Sequence, residues 1–185
     1  SVQRPKVHHM KIVIAPQTFK GSLSALDVAE SIAEGVHRIL PDVETLLVPV
    51  ADGGDGTLET LVEATSGEIR TATVTGPIGK PVVAEWGALG DGETAMIEMA
   101  RTSGLALLAE RELDPLTATT YGLGEVVQEA LDAGFRSFIV GIGGSATNDG
   151  GAGMAQALGV RLLDAEGQDL PMGGAALANL HSIDM

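Results

Sequence analysis

Short apolar runs alternate with amphipathic stretches along most of the chain, which is typical of an α/β protein. Apolar runs that end in glycine- or proline-rich turns predict buried strands over residues 11–15, 45–50, 138–140 and 160–163. Apolar residues at helical spacing predict helices over residues 26–40, 58–64, 123–131 and 153–158. Ser24, with Asp27 three residues later, has the pattern of a capping box at the first helix. This alternation predicts βαβ units and a parallel-type sheet.

Residues 69–99 have a different pattern. Three strand candidates are joined by two turn signals of hairpin length: residues 69–75, 82–89 and 94–99, with turns at 76–79 and 90–92. The spacing predicts an antiparallel three-stranded meander with Trp86 and Met96 in its core. After Asp164 the chain is predicted to be loop-like.

The stretch Ser137–Met154, SFIVGIGGSATNDGGAGM, is the most distinctive in the chain. A strand leads into the segment Gly141–Gly151, which has five glycines in eleven residues and precedes an alanine-rich helix. We interpret this glycine density as access for a ligand rather than as packing, because glycine lets another molecule touch bare backbone. Peptide N–H groups between a strand and a helix N-terminus bind anions. The segment therefore predicts a phosphate or carboxylate cradle, with Asp149 as a metal-capable carboxylate beside it.

Two other interpretations of this segment stay open. It is also compatible with a tight strand-to-helix connection that binds nothing. In addition, Gly141–Ala146 fits the G-x-G-x-x-A dinucleotide pattern, with Asp164 at a suitable distance. The residues Asn148–Gly151 postpone the helix, however, which argues against a nicotinamide or flavin site.

Three further polar loops are candidate ligand contacts, since ligands of α/β sheets bind where strands end. Lys20 and Ser22 follow the first strand, where Lys20 is either a counter-charge for a ligand or a surface lysine. Asp52 and Asp55 lie in a glycine-rich loop after the second strand, a composition that suits Mg²⁺. Alternatively, Asp55 caps the next helix and Asp52 makes an Asx-turn. Thr120 either contacts an anion or caps the helix that follows it.

Composition and charge argue against several classes of partner and of protein. The chain has 185 residues, a formal net charge of −14 and no cysteine. The negative charge argues against nucleic acid and anionic membrane surfaces as partners, but not against a nucleotide bound with Mg²⁺. The lack of cysteine excludes a disulfide framework and fits a cytoplasmic protein, and no apolar run reaches the roughly 18 residues of a transmembrane helix. Residues 1–9 lack a signal-peptide pattern and are predicted to be a disordered or artificially added tail.

Four separated segments resemble the glycerate kinases of the bacterial glycerate/glucarate-pathway type: APQTFKGSLSA at 15–25, PVADGGDGT at 49–57, DPLTATTYGLGE at 114–125 and GIGGSATNDGGAGMAQALG at 141–159. The resemblance extends from Met10 to Met185. It implies a two-lobed α/β fold and the ATP-dependent, Mg²⁺-assisted phosphorylation of D-glycerate to 2-phosphoglycerate. Members of the family are much longer, so we expect an N-terminal half, with residues 10–75 in a first lobe and 76–185 comprising the meander and an incomplete second lobe. The chain also departs from the family at Gln17, where an aspartate is usual.

The resemblance and the chemistry of the loops together imply a division of roles. Lys20, Asp52 and Asp149 are the predicted catalytic residues, and the two carboxylates are also the predicted Mg²⁺ ligands. The predicted nucleotide contacts all lie in the glycine-rich segment: Gly143, Gly144, Ser145, Thr147 and Asn148. The predicted substrate contacts are Ser22, Arg101 and Thr120.

Two other function classes stay open at this point. One is a non-catalytic nucleotide- or anion-binding module, and the other is an NAD(P)-dependent Rossmann oxidoreductase. The sequence leaves the oligomeric state open, a homo-oligomer included.

Overall fold

Tertiary contacts divide the chain into two compact units, Ser1–Asp52 and Gly53–Met185. The computed structural model describes residues 10–19 and 22–185, so the predicted tail at 1–9 and Lys20 lie outside the described residues. The division falls before the predicted lobe boundary at residue 75, because the first strand of the meander pairs with the strands that follow it.

The first unit is a βαβ motif. Strands β1 (Lys11–Ile14) and β2 (Glu44–Leu47) pair in parallel, and helix α1 (Ala25–Ile39) connects them. The Ser24 hydroxyl accepts a hydrogen bond from the Asp27 amide at 3.1 Å, and the Asp27 carboxylate accepts one from the Ser24 amide at 3.3 Å. The predicted capping box is confirmed. Apolar residues of α1 and β1 form the core of this unit: Ile14, Ala29 and Ala33.

The second unit is built on a four-stranded mixed sheet. Its elements in chain order are α2 (Thr57–Thr65), β3 (Glu68–Thr75), β4 (Pro81–Ala88), β5 (Thr94–Glu98), α3 (Met99–Ser103), α4 (Tyr121–Asp132), β6 (Ser137–Gly141), α5 (Ala152–Ala157), β7 (Arg161–Leu163) and β8 (Ser182–Asp184). The strand order is β3-β4-β5-β6. The first three strands are antiparallel, which confirms the predicted meander, and β6 lies parallel to β5. No helix in the described ranges is long and apolar enough to cross a membrane.

The end of the chain differs from the prediction. The expectation that the chain after Asp164 is loop-like was wrong, because β8 pairs with β7 in an antiparallel ladder and residues 174–179 form a 3₁₀ helix. The strand β8 has only three residues, all exposed, so it has no periodic pattern that a sequence could reveal.

Helices cover both faces of the four-stranded sheet. On one face, Trp86 and Ile97 pack with Val126 of α4. On the other, Met96 packs with Leu58 of α2. Successive side chains of a strand point to opposite faces, so Trp86 and Met96 are both buried, as predicted, but in different layers of the core.

Helices α4 and α5 approach closely at Gly124. A Cβ at this position would lie 2.4 Å from the Met154 carbonyl oxygen and 2.7 Å from the Ala157 Cβ. We expect Gly124→Ala to lower the free energy of unfolding by about 1–3 kcal/mol, because this overlap outweighs the gain in helix propensity. Urea denaturation measures the change.

The matched control is Glu129→Ala, an exposed position of the same helix. There we expect a change of less than about 0.5 kcal/mol. Equal stabilities for the two variants would contradict the tight packing of α4 on α5.

Candidate active site

The candidate site lies at the carboxyl ends of the parallel strands β5 and β6. Glu98, the last residue of β5, is in register with Gly141, the last residue of β6. The segment Gly141–Gly151, called here the glycine loop, begins at that edge. This is the edge at which ligands of α/β sheets bind.

The glycine loop packs backbone against backbone on residues 53–56, called here the aspartate loop. The Gly143 amide donates to the Gly53 carbonyl oxygen at 2.9 Å. A Cβ at Gly143 would lie 2.7 Å from the Gly54 Cα, and one at Gly141 would lie 2.7 Å from the Gly53 carbonyl oxygen. These two glycines are therefore required for packing, which corrects the interpretation of the glycine density as ligand access alone.

A second contact holds the glycine loop from the end of α3. The Ala146 amide donates to the Ser103 carbonyl oxygen at 2.8 Å, and the Leu105 amide donates to the Gly144 carbonyl oxygen at 2.9 Å. Gly104 and Ser145 face each other in this short antiparallel bridge. The loop is therefore anchored on both sides of Gly144, which has a φ of 71°.

Part of the loop's backbone is available to a ligand. The amides of Gly144, Ser145, Asn148 and Gly150 donate to no acceptor within residues 10–19 and 22–185. Gly144, Asn148 and Gly150 are also exposed. Exposed N–H groups in a glycine-rich turn are suited to contact an anion.

The hydroxyls of Ser145 and Thr147 add a further donor. Their oxygens lie 2.7 Å apart, and the Ser145 hydroxyl also accepts a hydrogen bond from the Thr147 amide at 3.0 Å. One hydroxyl proton is used between the two side chains. The other can point to an acceptor outside the pair.

Asp149 is buried, with an exposed fraction of 1%. Its Oδ2 accepts hydrogen bonds from the Thr120 amide at 2.8 Å, the Thr120 hydroxyl at 2.9 Å and the Gly153 amide at 3.1 Å. Its Oδ1 accepts one from the Gly151 amide at 3.1 Å. The carboxylate therefore joins the N-termini of α4 and α5, where a negative charge is favourable.

Thr120, a predicted substrate contact, is a hydrogen-bond partner of Asp149. Its exposed fraction is also 1%, and its hydroxyl accepts a further hydrogen bond from the Met154 amide at 3.0 Å. The structure thus shows Thr120 and Asp149 bonded to each other and to two helix starts. Catalytic and metal-binding roles for Asp149, and a substrate contact by Thr120, stay predictions.

Asp55 presents a carboxylate next to the glycine loop. The N-cap of α2 is Gly56, and no side chain caps it, so the interpretation of Asp55 as the helix cap was wrong. The Asp55 side chain is exposed, and its Oδ1 lies 3.6 Å from the position of a Cβ on Gly144. It is therefore the exposed carboxylate that the second unit places beside the glycine loop.

Arg101 lies in a cluster of carboxylates. Its Nε donates to Glu98 at 2.9 Å, and its two terminal nitrogens pair with Glu59 and Glu85. Burial lowers the pKa of Arg101, but the hydrogen bond to Glu98 and the charge of Glu59 outweigh it, so the pKa lies above its usual value. The predicted contact of Arg101 with the substrate carboxylate stays a prediction, and it would compete with three protein carboxylates.

The remaining predicted residues belong to the first unit. Ser22 is exposed and donates its hydroxyl proton to the Phe19 carbonyl oxygen at 3.0 Å. Asp52 is exposed at the end of that unit. The roles predicted for these two residues and for Lys20 stay predictions.

The hydrogen-bond donors of the site suit an anion better than a metal ion held by protein side chains alone. Across the part of the chain that the structure describes, no three His, Asp or Glu side chains are grouped to hold a metal ion. Mg²⁺ in phosphoryl-transfer sites needs only one or two carboxylates, because phosphate oxygens and water supply the other ligands. An exposed carboxylate beside amide and hydroxyl donors is compatible with a phosphate that carries its own Mg²⁺.

A sequence model of the "Glycerate kinase family" matches residues 12–185, nearly the whole chain. The chain belongs to the glycerate kinase family. The match includes both loops of the candidate site and the helices α4 and α5 that position it.

Similar proteins agree with this family. The chain is 54% identical to "Glycerate 2-kinase" of Escherichia coli (strain K12) and 56% identical to "Glycerate kinase" of Bacillus subtilis (strain 168), in each case over 95% of this chain and 46% of the relative. The crystal structure of a protein assigned as glycerate kinase 2 from Salmonella typhimurium LT2 superposes with a TM-score of 0.84 at 55% identity, over 95% of this chain and 47% of that one. The chain spans about half the length of the curated relatives it matches.

Glu98 is a residue of the site that was not predicted from the sequence. This glutamate is the last residue of the apolar strand β5 and lies three residues before Arg101. Its side chain is 1% exposed and bonds both Arg101 and the Leu58 amide. A charged residue at the end of a buried strand was the signal that could have identified it.

The hydrogen bonds of Asp149 lead to a prediction for stability. We expect Asp149→Asn to lower the free energy of unfolding by roughly 3 kcal/mol. The new side-chain NH₂ group would face N–H groups whose hydrogen bonds the carboxylate accepts in the wild type. Chemical denaturation of the purified variant measures this.

Asp55→Asn is the control for Asp149→Asn, since it removes an exposed carboxylate from the same site. We expect it to change stability by less than about 0.5 kcal/mol. If Asp149→Asn were as stable as Asp55→Asn, the buried carboxylate would not be holding the helix starts together.

Proposed function

We propose that the whole protein transfers the γ-phosphoryl group of ATP to a hydroxyl of D-glycerate in the cytoplasm, and that the product is 2-phosphoglycerate. The observation that carries the proposal is the glycine loop, which has backbone amides without an acceptor among the described residues and a hydroxyl pair, at the carboxyl edge of parallel strands in a member of the glycerate kinase family. The name of the Escherichia coli relative, "Glycerate 2-kinase", supports the 2-position.

In this proposal the glycine loop binds phosphate oxygens. The amides of the exposed residues Gly144, Asn148 and Gly150 and the hydroxyl pair of Ser145 and Thr147 supply neutral hydrogen-bond donors. Phosphoryl transfer depends mostly on positioning and on neutralising charge. Neutral donors at fixed backbone positions supply the positioning, and Lys20 is proposed to neutralise part of the charge.

When bound, Mg²⁺ offsets the negative charge of the phosphate oxygens. Within the second unit, we propose the exposed carboxylate of Asp55 as a residue that holds it, and the Mg²⁺ role predicted for Asp52 stays a prediction. The four hydrogen bonds to Asp149 favour a different role for that residue, which is to fix the glycine loop against the starts of α4 and α5.

The proposed reaction is tested on the full-length protein with ATP, Mg²⁺ and D-glycerate. We expect ADP to form only when glycerate is present, and phosphorus NMR to show a phosphate ester at carbon 2. An ester at carbon 3 would correct the position, and ATP binding without turnover would instead make the protein a nucleotide-binding module. An NAD(P)H-dependent absorbance change with a hydroxy acid would favour the oxidoreductase class.

Lys20→Ala tests the proposed counter-charge. We expect kcat/KM to fall at least about a hundredfold, equivalent to roughly 2.7 kcal/mol of transition-state stabilisation. Lys11→Ala is the matched control, because Lys11 is an exposed lysine whose partner is Glu44 on the neighbouring strand. Near-normal kinetics for Lys20→Ala, or equal losses in both variants, would reject the role.

A further inference from the structure

Glu98 links the sheet to the start of helix α2. It is the last residue of β5, and its Oε1 accepts a hydrogen bond from the Leu58 amide at 2.8 Å. Leu58 lies in the first turn of α2, the helix that directly follows the aspartate loop. The buried carboxylate therefore fixes where the aspartate loop ends.

Arg101 strengthens this link to α2 and extends it to β4. The Oε2 of Glu98 accepts from the Arg101 Nε at 2.9 Å, and the guanidinium also pairs with Glu59 on α2 and Glu85 on β4. Three carboxylates surround one cation, so the cluster has an excess of negative charge. An anionic substrate would have to displace protein carboxylates in order to reach this arginine.

The same short helix that contains Arg101 holds the glycine loop. Helix α3 ends at Ser103, whose carbonyl oxygen accepts from the Ala146 amide, and the next turn donates the Leu105 amide to Gly144. Gly104 sits between them with no room for a side chain, because a Cβ there would lie 1.9 Å from the Ala100 carbonyl oxygen. A displacement of Arg101 would therefore be transmitted to the backbone of the glycine loop.

We propose that Glu98 and Arg101 are positioning residues that hold the glycine loop and the aspartate loop in fixed relation, and that Arg101 does not bind the substrate carboxylate. The pair acts through backbone contacts: Glu98 through the Leu58 amide, and Arg101 through the end of α3. The importance of the pair for catalysis rests on the proposed kinase function, whereas its effect on the loops does not.

Amide hydrogen exchange of Glu98→Gln tests the positioning role directly. The glutamine can still accept from the Leu58 amide, but its NH₂ group would face the Arg101 Nε–H. We expect the amides of Ala146 and Leu105 to exchange at least about tenfold faster, relative to the Val126 amide in the core of α4, because the loop opens locally. A general loss of stability would accelerate Val126 as well.

Glu85→Gln is the matched control, because the Glu85 side chain pairs with Arg101 from β4 and makes no hydrogen bond to either loop within the described residues. We expect the loop amides of this variant to change by less than about twofold relative to Val126. Equal loop protection in Glu98→Gln and Glu85→Gln would overturn the proposal. Should Glu98→Gln not fold, Arg101→Lys gives the same readout, because lysine keeps the charge but cannot bond three carboxylates in the planar fork of arginine.

Kinetics of the full-length variants separate this proposal from the proposed function. For Glu98→Gln we expect kcat to fall at least about tenfold with a smaller change in the KM for glycerate, because misplaced loops cost transition-state stabilisation. A rise in the glycerate KM alone for Arg101→Lys, with unchanged loop exchange, would assign Arg101 to the substrate instead. If the wild type lacked glycerate-dependent turnover while Glu98→Gln still loosened the loops, the kinase function would be refuted and the positioning role would stand.

Discussion

The contact between two glycine-rich backbones fixes the candidate site. Gly141 and Gly143 lie so close to Gly53 and Gly54 that any side chain at the first pair would meet main-chain atoms of the second. This approach sets the position of Gly144 and Ser145, whose amides have no acceptor among the described residues. Because the donors are backbone groups, they can be aimed only by fixing the course of the loop itself.

Asp149 helps to fix the course of the glycine loop. Its carboxylate has no cationic partner among the described residues. The four hydrogen bonds it accepts come from a threonine and from amides at two helix starts, and each of these groups carries partial positive charge toward it. Helix α5 has only six residues, so its own hydrogen bonds give it little stability and its first turn depends on such a partner. The carboxylate therefore contributes to the site through the structure of the loop, whatever chemistry takes place beside it.

Sequence patterns reveal local structure but not long-range pairing of side chains, and particular residues show the physical reason. Periodicity predicted the helices and the meander because burial of one face imposes a spacing, and Ser24 with Asp27 revealed a helix start because both capping partners lie within one turn. The sequence does not reveal that Arg101, a predicted substrate contact, is already paired, because two of its partners, Glu59 and Glu85, are 42 and 16 residues away in the sequence. Asp149 is likewise a predicted site residue, but its hydrogen bonds to Thr120 span 29 residues, so no local pattern indicates them. A sequence shows which side chains carry chemistry, but not which of them are already bonded within the protein.

The electrostatics of the second unit constrain how a nucleotide could bind there. ATP and glycerate are anions, the chain has a formal net charge of −14, and Arg101 is already surrounded by three carboxylates. The glycine loop offers amides and hydroxyls, which orient phosphate oxygens but do not cancel their charge. Under the proposed function, the cancelling charge has to arrive with the nucleotide as Mg²⁺ or from a lysine such as Lys20. The exposed carboxylate of Asp55 is then an advantage rather than an obstacle, because it attracts the cation that makes phosphate binding favourable.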